Sequence, residues 1–192
     1  MTGNDILNDV RARLADNEDL AYSESDILLF LNDGERDFAH SGCCQRLSVG
    51  QVPTAGVIDL TVLGSVLEIM RVDLDSTRLP LPFAPLNDLN ARRQPSLGTP
   101  ESWTVWGDNL YLDTATTAPC SLWYTFIPTP KTGLSESLDV PQAYQGALAA
   151  YVEYRCRKQN DDPLAAQAEA EYTQAKATAA QLSRARFYGG TR

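Results

Sequence analysis

The spacing of apolar residues changes twice along this chain. In NDILNDVRARL, Ile6, Leu7, Val10 and Leu14 recur at helical intervals, so residues 2–15 read as a helix with one apolar face. A polar break at residues 16–20 separates it from YSESDILLFLNDGERDFAH. There Ser23 is a good N-cap, and Glu24 and Asp26 fall in the first turn, where carboxylates suit the positive end of the helix dipole. Tyr22 and Ile27 occupy the two positions of a hydrophobic staple. This second helix is expected to run to about Ser41 and stop near Gly42. Both helices are short and need tertiary packing to persist.

From Gln45 the period becomes two. RLSVGQVPTAGVIDLTV reads as a pair of strands around a turn at residues 53–56, and VLEIMRVDL as a further strand. Residues 77–82 form a short extended piece, and residues 85–93 one or two helical turns ended by Pro95. WTVWGDNLYLD is a compact hairpin with Gly107-Asp108 at its turn, and CSLWYTFIP is a third strand following it. The helical period then returns. Asp139, Pro141 and Gln142 fit a capping box, and Tyr144, Ala147, Leu148, Tyr151 and Arg155 recur at helical spacing. Asp162-Pro163 starts a last helix, whose stripe of Leu164, Ala168, Tyr172, Ala175, Ala179 and Leu182 is rich in alanine. Alanine favours the helix but buries little area. The order predicts an α+β fold: a helical bundle built from residues 1–44 and 136–183, with an inserted β-rich subdomain at 45–135 and a flexible C-terminal tail at 184–192.

Composition narrows the function. The net charge is −9, which disfavours tight binding of DNA, because affinity for phosphates comes from Lys and Arg. No apolar run reaches the ~20 residues that span a bilayer, and the acidic start MTGND is unlike a secretory signal. The four cysteines, Cys43, Cys44, Cys120 and Cys156, show no CxxC spacing and are expected as thiols in a cytosol. The single histidine, His40, lies close to Cys43 and Cys44, the one place where a base–nucleophile or metal reading arises. Two adjacent cysteines are poor metal ligands, and a polar residue at a helix end is the simpler account. Asp33, Glu35 and Asp37 do not share one helical face, so a carboxylate pair for hydrolysis or Mg²⁺ is disfavoured as well. No phosphate-binding, dinucleotide or hydrolase motif is present, and no enzyme, cofactor or metal is expected. Trp103, Trp106, Trp123, Tyr111 and Tyr124 suggest either sheet core and interface or a carbohydrate platform, with at least one tryptophan on an outer face.

The ordered series NDILNDVRARLAD, YSESDILLFLNDGERDF, SVGQVPTAGVIDL, LEIMRVDL, PESWTVWGDNLYLD and VPQAYQGALAAYVEYRCRKQNDDPLAAQAEAEYTQAKA resembles, over nearly the full chain, the head-to-tail adaptor (connector) proteins of tailed bacteriophages, especially the short-tailed (podovirus) type. The resemblance implies a virion structural protein assembled in the host cytoplasm and placed at the neck. Such proteins form a ring, typically a homododecamer, beneath the portal protein, with the helical part as the ring-forming core around the channel and the β-rich insertion facing outward or toward the tail components. They extend the channel through which double-stranded DNA passes without specific binding, and they give tail hub, nozzle or fibre proteins a place to attach. It also implies a portal-docking C-terminal segment, carried onto Arg184, Arg186, Phe187, Tyr188 and Arg192. The alanine-rich stripe of Ala168, Tyr172, Ala175, Ala179 and Leu182 is expected at a subunit interface, completed by the next copy in the ring. A head-completion or neck protein of a long-tailed phage is the near alternative. A carbohydrate-binding module using surface tryptophans is the alternative of another class.

Overall fold

A computed structural model describes residues 2–14 and 22–188, excluding the side chains of residues 94–95 and 184–188. Along the chain, α1 (Gly3–Leu14) and α2 (Glu24–His40) precede β1 (Gln45–Gln51), β2 (Val57–Asp59), β3 (Val66–Leu74) and β4 (Pro80–Leu81). Then come α3 (Leu86–Arg92), β5 (Gln94–Leu97), β6 (Trp103–Trp106), β7 (Asn109–Leu112), β8 (Thr114–Ala115) and β9 (Cys120–Phe126). The chain closes with α4 (Gln145–Gln159) and α5 (Ala165–Tyr188). Helices and sheets occupy separate stretches, as in an α+β fold. Two compact units result: residues 1–44 with Ile127–Arg192, and Gln45–Phe126.

The helical unit is built on α2. Ser23 caps it: its Oγ accepts the Asp26 N–H at 3.2 Å, and the Asp26 carboxylate accepts the Ser23 N–H in return. Tyr22 and Ile27 are both buried, as a staple requires, and the Tyr22 hydroxyl donates to the Cys156 carbonyl at 2.8 Å. The buried face of α2 runs through Ile27, Phe30, Leu31, Gly34, Glu35, Phe38 and Ala39. Helix α4 packs against it, with Leu148 and Tyr151 at the contact. Gly34 allows this approach, since a Cβ there would lie 2.6 Å from Leu148 Cδ1 and 2.8 Å from Tyr151 Cδ1. On α1, Ile6, Leu7 and Val10 are buried, as their spacing predicts. Arg157 of α4 donates to Glu153, to Asp162 and to the carbonyl of Arg13 at the end of α1.

The helical unit corrects several expectations. Residues 127–135 belong to it and not to the insertion: the N–H of Asn4 donates to the Leu134 carbonyl at 2.7 Å, and Asn32 exchanges hydrogen bonds with the backbone of Lys131. Asp139 does not cap a helix. A single 3-10 turn at Gln142–Tyr144 precedes α4 without a side-chain cap, and the Asp139 carboxylate instead accepts Lys131 Nζ at 2.6 Å. Asp162 does cap, accepting the Leu164 N–H at 2.8 Å. The last helix continues to Tyr188, past the expected start of the tail at residue 184. The polar break at residues 16–20 lies outside the described residues.

In the sheet unit, β3 and the β6–β7 hairpin match the sequence reading, with Gly107 at φ 57° in the turn. The partners of the other strands differ from it. Ala55 and Gly56, both with positive φ, make a tight turn closed by Thr54 and Val57, yet its arms do not continue as a hairpin. Instead β1 pairs with β9, and β2 pairs with β7. β9 does not extend the β6–β7 hairpin; it is one of two inner strands, with β3, of a four-stranded sheet ordered β1-β9-β3-β4, and β2-β7-β6 form a separate three-stranded sheet. The two-stranded parallel pair β5-β8 completes the unit. Leu110, Leu112, Leu122, Val72 and Leu89 are fully buried between these elements.

The glycine contact in the helix pair gives a direct test. Gly34→Val should lower the free energy of unfolding by about 2–3 kcal/mol in urea denaturation, the cost of overpacking a closed core. Gly146→Ala, where a Cβ meets nothing within 4 Å, should leave it unchanged or raise it.

Candidate functional site

The sequence placed possible chemistry at His40 and its neighbouring thiols. His40 is exposed at the end of α2, whereas Cys43 and Cys44 are buried. Burial pushes the Cys43 thiol up to about 11 and the Cys44 thiol up to about 12, the latter with help from nearby Glu35. Cys120, also buried, is pushed up to about 11. These are protonated, packed thiols and not nucleophiles at neutral pH. Among the described residues no group of three metal-ligating side chains comes together.

The acids of α2 are structural, and each reaches a different element. Asp33 accepts Arg155 of α4 at 3.2 Å. Asp37 accepts the Tyr172 hydroxyl and, at 2.7 Å, Lys176 Nζ, both from α5. Burial and the bond to Asp37 hold the Tyr172 phenol well above its usual range, so it stays neutral. Glu35 is 1% exposed. Its Oε1 accepts the backbone N–H groups of Asp139 at 2.7 Å and Val140 at 3.3 Å, and Lys131 Nζ stands 3.9 Å from Oε2. Burial raises its pKa, partly offset by those two N–H groups and by Lys131. The inward turn of Glu35 has a signal in the sequence: it lies four residues after Leu31 and three before Phe38, on the apolar stripe of the helix.

The aromatic residues do not form one platform. Trp103 is buried, and its Nε1 donates to the Leu81 carbonyl at 2.9 Å. Trp123 is half-buried in the four-stranded sheet. Tyr124 is buried edge-on to Phe126. Trp106 alone of the three tryptophans is openly exposed, at 63%. Tyr111 is half-buried beneath the Arg93 guanidinium at 5.7 Å. One tryptophan does lie on an outer face, as expected, but no row of rings is available to stack on a sugar chain.

The five residues expected at a subunit interface divide. Ala168, Tyr172 and Ala179 are buried in their own chain. Tyr172 supplies the bulk that the alanines lack: its ring packs edge-on to Tyr151 at 4.9 Å and Phe38 at 5.8 Å. Ala175 is half-buried and Leu182 is half-exposed. Of the residues expected to dock on a portal, Arg184, Arg186, Phe187 and Tyr188 have their backbone in α5, with side chains outside the described set. Arg192 lies outside the described residues altogether.

The exposed apolar surface lies elsewhere. Apart from Leu29, Leu164 and Leu182, every exposed large apolar side chain among the described residues is in the sheet unit, including Leu47, Val49, Leu79, Phe83 and Trp106. This arrangement offers contact area and not reactive groups. A family model described as SU10 adaptor protein matches residues 1–192, the whole chain. No curated protein matches it.

Two measurements test this account. Ellman's reagent at pH 8 should leave Cys43, Cys44 and Cys120 unreacted in native protein and label them on unfolding. Because their folded pKa values are raised above 9.0, the stability they contribute is complete below pH 9 and declines as pH rises toward 11–12. Glu35→Ala should cost roughly 3–5 kcal/mol in chemical denaturation, as expected when one partner of a buried ion pair is removed.

Proposed function

The chain belongs to the SU10 adaptor protein family, a family of phage adaptor proteins and not of enzymes, and on that premise we propose that it forms a ring of like copies between the portal and the tail of a short-tailed phage. The observation that carries this reading is the concentration of exposed apolar side chains in the sheet unit, where a lone chain leaves Leu79, Phe83, Val105 and Trp106 open to water. Surfaces of this kind mark protein contacts. A ring requires a heterologous contact, with different patches meeting on successive copies. The sheet unit supplies such area, while the helical unit is closed around its own core. The channel would pass double-stranded DNA without gripping it, which the net charge of −9 supports. The basic, aromatic end of the chain, Arg184, Arg186, Phe187, Tyr188 and Arg192, is assigned to the portal. Trp106 is assigned to a protein contact with tail components and not to a glycan. Among the described residues no helix is long and apolar enough to cross a membrane.

Mixing the protein with its cognate portal and imaging the product by electron microscopy tests the reading. A ring stacked on the portal is expected; persistent free chains would overturn it. Removing residues 184–192 should leave thermal unfolding unchanged and weaken portal docking. Trp106→Ala should leave the fold intact and weaken tail attachment, with no glycan bound by either protein.

A further inference from the structure

Strand β1 is incomplete within one chain. It spans seven residues at the edge of the four-stranded sheet, and none of them is buried. Leu47 is 40% exposed and Val49 65% exposed. Holding seven residues extended costs about 1–2 kcal/mol each in backbone entropy, and β1 has a strand partner on one side, β9. Its sequence, QRLSVGQ, carries neither proline nor lysine, the usual guards of an open edge. Its one cation is not free to act as a guard, because the Arg46 guanidinium lies 4.1 Å over the Phe126 ring of its own sheet.

We propose that β1 pairs with β1 of a second copy, antiparallel, about a two-fold axis at Leu47. The choice of occupant follows from the other strands. The remaining sheet-edge strands are shorter: β2 has three residues, β4 and β8 two each, and β5 and β6 four each. The outer side of β6 is already bonded at Trp103, by the Pro82 carbonyl and the Ala84 N–H. Among the described sheet-edge strands, only another β1 matches β1 in length. In the register about Leu47, Leu47 faces Leu47 of the second copy, Arg46 faces Ser48, and Gln45 faces Val49, so no like charges meet. Each Leu47 already has Trp123 as its cross-strand neighbour, and the join makes one apolar band across the two sheets. The irregularity between Ser48 and Gln51, with Gly50 at φ 74°, ends the paired stretch.

This contact is isologous. It closes at two copies and does not propagate, so it is distinct from any ring-forming surface and holds or fails independently of the connector role. It would keep the free protein paired and out of open-ended polymers until a partner opens the edge.

The test is sedimentation velocity of the full chain across a concentration series under reducing conditions. A reversible monomer–dimer equilibrium is expected. Leu47→Lys places like charges opposite one another and should raise the dimer dissociation constant roughly tenfold, with unchanged circular dichroism and Tm. All four native cysteines are buried, so Leu47→Cys introduces an accessible thiol on the two-fold axis. Mild oxidation should convert this variant rapidly to a disulfide-linked dimer. Val62→Cys, at a site 70% exposed on another element, should remain largely monomeric under the same oxidation. The cysteine pair decides the matter if Leu47→Lys does not fold. Wild-type protein that is monomeric throughout, Leu47→Lys folding and associating as wild type, or equal cross-linking of the two cysteine variants would each overturn the proposal.

Discussion

The carboxylate of Glu35 sits in the core of the helical unit, on the same stripe of α2 as Leu31 and Phe38, and takes the backbone N–H groups of Asp139 and Val140. Burying an ion this deeply costs several kcal/mol and holds only when its hydrogen bonds are made. Lys131 supplies the counter-charge and is itself paired with Asp139, and Asn32 pins the Lys131 backbone through both its amide and its carbonyl oxygen. The consequence is positional. The chain returning from the sheet unit is fastened to α2 at residues 131–140, and the Val140 carbonyl then accepts Gln145 Nε2 at the start of α4. The start of α1 meets the same segment at Leu134 and Glu136. The termini of α1 and α4 are therefore set by one polar cluster on α2.

Once α4 is placed, apolar packing finishes the bundle. Gly34 lets Leu148 and Tyr151 come close to α2, and Tyr151 and Phe38 make the site that Tyr172 fills. Asp37 receives the hydroxyl of that same tyrosine and the ammonium of Lys176. An alanine-rich helix that looked too poor in bulk to stay on its own chain is held by one aromatic side chain and one carboxylate. The two features that suggested chemistry, the thiols beside His40 and the run of acids, are both consumed by packing. For an adaptor, whose work is to hold partners, a rigid bundle and an open sheet surface are a sensible division.

Much of the secondary structure was legible because it is local. Ser23 and Asp26, Asp162-Pro163 and Gly107-Asp108 carry their geometry in their own side chains and backbone. Period two marked β3 and β9, and period 3.6 marked the face of α1. Asp139 misled because its carboxylate meets Lys131, eight residues back, before it can reach a helix N–H. The alanine-rich stripe of α5 is a similar case: it shows that a helix buries little area, but not which surface covers it.

The sequence by itself determined the type and order of most elements, and that they fall into a helical part drawn from both ends and a sheet part between them. It also determined that no catalytic motif is present. Only the tertiary structure decided that β1 joins β9 and β2 joins β7, that Glu35 turns inward, and that most of the exposed apolar surface among the described residues lies on the sheet unit. Caps, turns and periodicity act within a few residues. Strand partners and buried charges depend on contacts between residues such as Glu35 and Asp139 or Leu47 and Trp123, which the chain brings together only on folding.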